Sequence, residues 1–339
     1  MKSLPVLILF ISISVFLAVY GQYTAYVNEP VPLTQTEEVD IPRGANLLTV
    51  SQALNQAHLI SQPHWFILLA VVNGQARSIK HGTYAIRSGM TPKTILETLV
   101  TGKAKQFPVV FVEGWTLAQI RAELAQHPEL KQTLPEVSDQ DLMPRIAPQC
   151  REAGCQHPEG WIFPSTYHVT KGTSDIEVLG RAYQTMRGML QPAWEGRERD
   201  LPLASPYQAL VLASIVEKET ADTRERPAIA GVFLRRLQKG MKLQTDPTVI
   251  YGLGLRFDGD IRTRDLRTDT PYNTYTREGL PPTPIAMPGA ESITAVMHPK
   301  AGNSLYFVAR GNGSHQFSDT LEQHEAAVDT YQRKNHATR

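Results

Sequence analysis

The first apolar segment of the chain runs without a charge from Leu4 to Tyr20. With the two polar residues that follow, it approaches the ~20 residues that a helix needs to cross the hydrocarbon core of a bilayer. Lys2 and the amino terminus supply basic charge before it, whereas the first charges after it are acidic. This asymmetry predicts a single-pass anchor (residues 1–21) with its N-terminus in the cytoplasm and the body outside. A cleaved signal peptide is the alternative, although no A-x-A pattern follows the run.

Short strand-like and helix-like patterns alternate between residues 41 and 125. Helical spacing is found around residues 51–57, 65–72, 92–101 and 117–124, and β-rich runs are found at 80–86 and 107–112. Small alternating elements of this kind predict a compact α+β module over residues 41–125. Residues 22–40 are polar, acidic and contain several prolines, which predicts a stalk. Residues 126–157 have weak periodicity and predict a connector.

A second, larger α+β domain is predicted over residues 158–339. At its centre Ser205 and Pro206 form a helix start, and the helix continues as an apolar run to Val216. A helix that is apolar nearly all round must be buried on most sides. A second helix is predicted from about residue 227 to 239, a polar loop over 241–290, a hairpin over 305–317 and a terminal helix from about 320.

Charge and cysteine usage narrow the function. Lys plus Arg (34) nearly balances Asp plus Glu (33), so no strong field indicates a nucleic-acid partner. The only two cysteines are Cys150 and Cys155. Exported thiols tend to pair, which favours a local disulfide over two free thiols. A zinc site would need two more ligands and only His157 is near, so we predict no metal site.

The buried helix ends in two glutamates, Glu217 and Glu219. They point about 200° apart around the helix, so they cannot share one proton as a dyad. The helix dipole and burial both disfavour a carboxylate there, and an acid with a raised pKa suits general acid catalysis. One glutamate is a candidate acid, and the other is available to pair with Lys218, Arg224 or Arg226. A solvated charged helix end is the alternative interpretation.

The loop after this helix is rich in groups that suit a sugar ligand. Hydrogen-bonding and stacking candidates are Gln244, Thr245, Asp246, Tyr251, Asn273 and Tyr275, and among the histidines His315 is the best candidate for substrate contact. Turn-forming residues in a proline-rich loop are the alternative interpretation of this set. No Walker, G-x-S-x-G or H-E-x-x-H pattern occurs.

Several stretches resemble the signature of the MltG (YceG-like) endolytic murein transglycosylases. They are Leu212–Thr220, Gln244–Gly252, Tyr272–Thr276, Gly279–Pro282, Glu159–Trp161 with Phe163–Pro164, and Gly313–Phe317. The resemblance extends from the anchor to the last helix and is dense from residue 159 to 324. Several long motifs in the same order are far more specific than any one of them.

The resemblance implies a function and a catalytic residue. The family's catalytic glutamate is the second of the Glu-x-Glu pair, which is Glu219 here. The region 41–105 corresponds to a LysM-like module expected to contact peptidoglycan. The family cuts nascent glycan between N-acetylmuramic acid and N-acetylglucosamine and leaves a 1,6-anhydro end. Because the substrate's own 6-hydroxyl is the nucleophile, one carboxyl suffices and no cofactor is required.

Several broader expectations follow from the same resemblance. Glu217 and the loop residues are expected to bind substrate, with Gln244, Thr245 and Asn273 as dipoles near the transition state. The enzyme is expected in the bacterial inner membrane with its body in the periplasm, ending glycan strands beside the elongation synthases. A hydrolytic muramidase and a non-catalytic wall-binding scaffold are the alternatives; the intact Glu219 and its flanking loop argue against the scaffold.

Overall fold

A computed structural model of the chain describes residues 4–150 and 153–333. Its helices are α1 (Leu4–Asn28), α2 (Leu47–Gln56), α3 (Pro63–Val72), α4 (Pro92–Thr101), α5 (Leu117–Gln126), α6 (Asp139–Ile146), α7 (Asp175–Glu195), α8 (Pro206–Glu219), α9 (Arg226–Gln238), α10 (Asp246–Leu253), α11 (Thr263–Arg267), α12 (Ala290–Met297) and α13 (Leu321–Val328). Its strands are β1 (Glu37–Ile41), β2 (Gly82–Ile86), β3 (Phe107–Val110), β4 (Thr166–Val169), β5 (Tyr306–Ala309) and β6 (His315–Ser318). Small sheets among many helices confirm the predicted α+β class.

The chain folds as two compact units. The first comprises Met1–Pro108, Glu129–Lys131 and His168–Thr173; the second comprises Val109–Pro128, Gln132–Tyr167 and Ser174–Arg339. Residues 109–125, predicted as part of the first module, belong to the second unit, whereas residues 129–131 and 168–173 join the first. Residues 126–157, predicted as a connector, lie almost entirely in the second unit, where the buried side of α6 packs on α7.

The predicted stalk, residues 22–40, is part of the first unit's core. β1 pairs antiparallel with β2, and Val39 lies opposite Tyr84. Val31 and Val39 are buried among α2, α3 and α4. The alternation of acidic and apolar residues in β1 places Val39 and Ile41 on the core side and leaves Glu38 and Asp40 outside. Because β1 is acidic in composition, its short two-residue period was not recognised as a strand in the sequence.

Helix α1 is longer than the predicted anchor and is continuous with the first unit. It is long and apolar enough to cross a membrane, and residues 6–22 are exposed along their whole length. Near its end Tyr26 and Val27 are buried in the first unit's core. The helix therefore enters a packed module directly. Lys2, on which the predicted orientation depends, lies outside the described residues.

The second unit is built around α8, as its apolar pattern predicts. Every residue from Ala209 to Val216 is buried, and α7, α9 and α12 pack against the helix. β5 and β6 pair with Phe307 opposite Phe317, which confirms the predicted hairpin. The stretch 241–290, predicted as a loop, contains the short helices α10 and α11. These are too short to show a helical period in the sequence.

Cys150 and Cys155 are joined as a disulfide, with their Cα atoms 6.1 Å apart. The bridge closes a short loop between α6 and the segment that precedes Glu159. Trp161 donates its indole N–H to the carbonyl of Gly154 within this loop, at 2.8 Å. The disulfide and this hydrogen bond therefore tie the residues on both sides of Glu159 together within the second unit.

Candidate active site

Two hydrogen bonds, one at the start of α8 and one in its middle, fix the position of the helix and so of its last residue. The Ser205 hydroxyl accepts from the N–H of Gln208, and Pro206 occupies the first turn. In the buried middle, the Ser214 hydroxyl accepts from the N–H of Ile285 at 3.0 Å. These contacts place Glu219, the last helical residue, at the boundary between the core and an open cleft.

Among the described residues, one hydrogen-bond donor reaches the carboxyl group of Glu219. The Thr245 hydroxyl donates to Oε2 at 2.7 Å. Burial raises the pKa of Glu219, the charge of Asp246 raises it further, and the Thr245 hydrogen bond and His315 act in the opposite direction. Burial has the largest influence on this pKa. The carboxyl group therefore keeps its proton at pH values above the ordinary pKa of a glutamic acid.

Glu219 lines a cavity of about 590 Å³ that is open to solvent. Five of the predicted site residues line the same cavity, namely Gln244, Thr245, Asp246, Tyr275 and His315. The opposite walls come from the β5–β6 hairpin and α13. The cavity is large enough for sugar units, and its walls mix hydroxyl, amide and aromatic groups.

Gln244 adopts a backbone conformation that is rare for a residue with a side chain. Its φ is +52°, in the left-handed region, which costs about 1–3 kcal/mol where it is imposed. The buried guanidinium of Arg236 holds the turn by donating to Gln244 Oε1 at 3.2 Å and to the Leu243 carbonyl at 3.0 Å. The Gln244 N–H donates to the Thr274 carbonyl at 3.1 Å. This turn places Thr245 beside Glu219.

A second carboxyl group, Asp246, lines the cavity beside Thr245. The Tyr275 hydroxyl donates to Asp246 Oδ1 at 2.5 Å. Burial raises the pKa of Tyr275, and the hydrogen bond to Asp246 adds to this effect. Tyr275 therefore stays a neutral donor that restrains the Asp246 carboxylate.

His315 is oriented by a partner that the sequence did not indicate. Its ring Nδ1 lies 2.7 Å from Glu225 Oε2, and its backbone N–H donates to Glu225 Oε1 at 3.0 Å. Two contacts to one carboxylate fix the ring, with Nδ1 turned towards Glu225. Nε2 is therefore the nitrogen left for the cavity.

Glu217, predicted to bind substrate, lies away from the cavity. Its side chain is 5% exposed and pairs with Arg226, whose Nη2 donates to Oε1 at 2.9 Å. Oε2 accepts from the Gly289 N–H at 3.0 Å and from the Ser292 hydroxyl at 2.8 Å. The alternative pairing with Arg226 is thus the observed one. Glu217 connects α8 to α9 and to the start of α12.

Tyr251 and Asn273, also predicted to bind substrate, are engaged inside the fold. The Tyr251 hydroxyl donates to Glu159 Oε2 at 2.9 Å. Asn273 is 1% exposed; its amide donates to three backbone carbonyls of the α11 region, and its Oδ1 accepts from the Tyr275 N–H at 2.8 Å. Asn273 therefore shapes the loop that presents Tyr275 to the cavity.

Glu159 is a buried acid that sequence reasoning missed. It is 3% exposed, and its carboxyl group accepts from the Leu117 N–H at 3.0 Å as well as from Tyr251. Burial raises the pKa of Glu159 to about 7, and the two hydrogen bonds oppose the shift. The available signal was an acid directly before the apolar stretch from Gly160 to Pro164.

No group of three or more histidine, cysteine, aspartate or glutamate side chains suited to a metal ion occurs within residues 4–150 and 153–333. The side chains that line the described site can transfer protons and form hydrogen bonds. An acid with a raised pKa, an oriented imidazole and a restrained carboxylate surround one open polar cavity. This is the equipment of an acid–base enzyme acting on a polar substrate.

The chain belongs to the YceG-like family, whose model matches residues 39–330. This confirms the resemblance seen in the sequence motifs. An endolytic murein transglycosylase of Bacillus subtilis (strain 168) is 30% identical over 308 residues, covering 87% of this chain and 85% of the relative.

Two further comparisons agree with this family. An endolytic murein transglycosylase of Streptococcus pneumoniae (strain D39) is 27% identical over 356 aligned positions. The match covers 94% of this chain but only 64% of that relative. The crystal structure of a YceG-like protein of Listeria monocytogenes is 30% identical and superposes with a TM-score of 0.54, covering 86% of this chain and 99% of that one.

Proposed function

We propose that the protein is an endolytic lytic transglycosylase of peptidoglycan with Glu219 as its general acid and base. The substrate is a glycan strand, cut between N-acetylmuramic acid and N-acetylglucosamine. The observation that carries the proposal is a half-buried glutamic acid whose pKa is raised by burial and which opens onto a cavity lined by hydroxyl, amide and aromatic groups. The relatives' name, endolytic murein transglycosylase, supports the same substrate and reaction.

The proposed reaction needs no water. Protonated Glu219 donates its proton to the glycosidic oxygen as the bond to the muramic C1 breaks, and the leaving sugar departs as an alcohol. The muramic 6-hydroxyl then attacks C1, forms the 1,6-anhydro ring and returns its proton to the Glu219 carboxylate. Atoms and protons balance, so the acid is regenerated in each turnover.

Neighbouring groups have distinct parts in this proposal. Thr245 donates to Glu219 Oε2 and so stabilises the carboxylate formed when the glycosidic oxygen is protonated. Asp246 carries charge close enough to affect the pKa of Glu219. That charge also stabilises an oxocarbenium-like transition state. Gln244 and His315 line the same cavity as the acid and supply hydrogen-bonding groups there.

Hydrolysis is the second candidate reaction, and the position of Asp246 is the observation that favours it. A glycosidase uses two carboxyl groups, and Asp246 lines the cavity together with Glu219. Its engagement with Tyr275 favours an electrostatic part over activation of a water molecule. The two reactions differ in the end that they leave on the muramic sugar.

The wider setting is also proposed. Helix α1 anchors the protein in the bacterial inner membrane, with both units on the periplasmic side. The first unit acts as a LysM-like module that contacts peptidoglycan. Cleavage within nascent strands ends their elongation beside the synthases that make them. The length and composition of α1 support the anchor.

The test is mass spectrometry of uncrosslinked polymerised glycan after incubation in oxygen-18 water. The wild-type chain, Glu219→Gln and Glu278→Gln are compared. Glu278 is exposed and lies outside the cavity lining, so its variant controls for loss of one carboxylate in the second unit.

We expect anhydro ends without oxygen-18 from the wild-type chain and from Glu278→Gln, and none from Glu219→Gln. Reducing ends that contain oxygen-18 would establish hydrolysis and overturn the transglycosylase proposal. Uncleaved glycan with the wild-type chain would favour the scaffold alternative. Anhydro ends at an undiminished rate from Glu219→Gln would remove the assigned acid.

A further inference from the structure

Helix α3 is mostly apolar on both of its sides, with His64 exposed near its start. One side is buried in the first unit's core. On the other side Leu68, Val71 and Val72 are 40%, 56% and 66% exposed. The helix carries no charged residue along its length. A helix that is apolar all round is normally enclosed, and an exposed apolar patch marks a surface for a protein or a lipid partner.

The position of α3 within the first unit indicates which partner. The helix packs directly against α1, where the rings of Trp65 and Tyr23 lie 5.6 Å apart. Counted from Leu4, the ~20 residues that cross a hydrocarbon core end at Tyr23. Tryptophan and tyrosine are enriched at this level of a membrane, where their rings meet the headgroups. The exposed side of α3 is therefore continuous with the segment that would leave the bilayer.

A basic stretch of the first unit suits an anionic lipid surface. Between residues 41 and 92 the chain has no aspartate or glutamate, and its charged residues are Arg43, Arg77, Lys80 and Arg87. All four are exposed. Basic residues close to a membrane are attracted to anionic headgroups. Basic charge and an apolar helix side within one compact unit are the pattern of an interfacial membrane contact.

We infer that the exposed side of α3, formed by Leu68, Val71 and Val72, lies in the headgroup and upper acyl region of the bilayer. The first unit then rests on the lipid surface, with α1 and α3 as two points of contact. This inference rests on the proposal that α1 crosses the membrane. It assigns to α3 a partner that anchoring by α1 alone does not require.

Helix α4 provides a matched contrast in the same unit. It also packs against α1, yet its exposed side chains are Lys93, Thr94, Glu97 and Thr101. A side with two charged residues is expected to face water. The two helices therefore differ in the chemistry of their exposed sides while sharing the neighbour α1.

The test uses the full chain in lipid nanodiscs that contain anionic lipid and a nitroxide on the upper acyl chain. A fluorophore is attached to one introduced cysteine in each of Val72→Cys, Glu97→Cys and Val15→Cys. The wild-type chain, treated in the same way, measures labelling of its own cysteines. Quenching by the nitroxide reports contact of each label with the acyl region.

We expect the label at Val72 to be quenched at least about twofold more than the label at Glu97, with the label at Val15 quenched as well. Equal quenching at Val72 and Glu97 with strong quenching at Val15 would overturn the lipid contact of α3 and leave the anchor intact. The exposed side would then belong to a protein partner. An unquenched label at Val15 would overturn the anchor, and the inference about α3 with it.

Discussion

Glu217 and Glu219 stand two positions apart at the end of α8 and have opposite surroundings. The Glu217 carboxyl group accepts from a guanidinium, a backbone N–H and a hydroxyl, so its charge is balanced within the fold. The Glu219 carboxyl group accepts from one hydroxyl and faces an open cavity. The difference follows from helix geometry, because residues two positions apart point about 200° away from each other around the helix. One side of the helix meets α9 and α12, and the other meets the open cavity.

This contrast teaches what separates a structural acid from a reactive one. A carboxylate that accepts from a guanidinium, a backbone N–H and a hydroxyl is held in one position by the fold. A carboxyl group with few donors in a buried place remains protonated and is available for proton transfer. The same residue type at the same helix end therefore serves two purposes.

The largest expected effect is on activity and comes from Glu219→Gln. We expect kcat to fall about 10³-fold, because the amide cannot donate a proton to the glycosidic oxygen. The free energy of unfolding should not fall, since a neutral amide suits a buried site. Turnover assays and denaturant unfolding of the same preparation check both halves. Retention of more than about a tenth of wild-type turnover would contradict the assignment.

Glu217→Ala is expected to lower the free energy of unfolding, in contrast to Glu219→Gln. Removing this partner leaves Arg226, 4% exposed, as a buried and uncompensated charge. Unfolding should become easier by about 3–5 kcal/mol. Glu113 and Glu291 lie 4.0 and 3.8 Å from Arg226, but both are exposed and replace little of the lost pairing.

Denaturant unfolding measures this loss, with Glu278→Ala as the exposed control. A loss below about 1 kcal/mol, the value of a surface pair, would show that Glu217 is not a structural anchor.

Glu159 is a third glutamate for comparison. Burial raises its pKa, but it does not line the cavity. Its pKa rises from 4.5 to about 7, so the folded protein holds a proton that the unfolded chain releases between these values. Stability from this group is complete below pH 4.5 and is lost as the pH rises through 7, by up to about 3 kcal/mol. Glu159→Gln should flatten this part of the stability profile. Parallel pH profiles of unfolding free energy for the two proteins measure it; identical slopes would contradict the shift.

The smallest expected effect comes from Thr245→Val. Loss of the 2.7 Å hydrogen bond removes a contact that lowers the pKa of Glu219. Activity requires the protonated acid, so the fall of kcat at high pH should move to still higher pH. The maximum kcat should drop about tenfold, because the carboxylate formed during turnover loses its donor. Thr268→Val, at an exposed threonine outside the cavity, is the control. An unmoved pH profile would show that Thr245 does not act on Glu219.

Strong local patterns made much of the fold predictable. The apolar run of α8 and the turn between β5 and β6 appear in the sequence as they do in the structure. β1 was not predicted from the sequence, because its two-residue period is short and its charged positions resemble a linker. α10 and α11 were missed because neither is long enough to show a period of 3.6 residues.

The site was predictable where sequence neighbours share one side of a turn. Gln244, Thr245 and Asp246 follow one another and all line the cavity. Partners from distant segments were not predictable: Glu225 meets His315 only after α9 and β6 have folded. Glu217 was misassigned for a related reason, since only the packed α9 shows which side of α8 holds Arg226.

The central claim is that Glu219 is a protonated acid whose ionisation ends activity. Infrared difference spectra of wild type minus Glu219→Gln, recorded across pH, isolate this carboxyl group and give its titration midpoint. We predict a midpoint above the ordinary value of 4.5, and we predict that it coincides with the pH at which kcat falls. A carboxyl group that is already ionised at the pH of full activity would contradict the account.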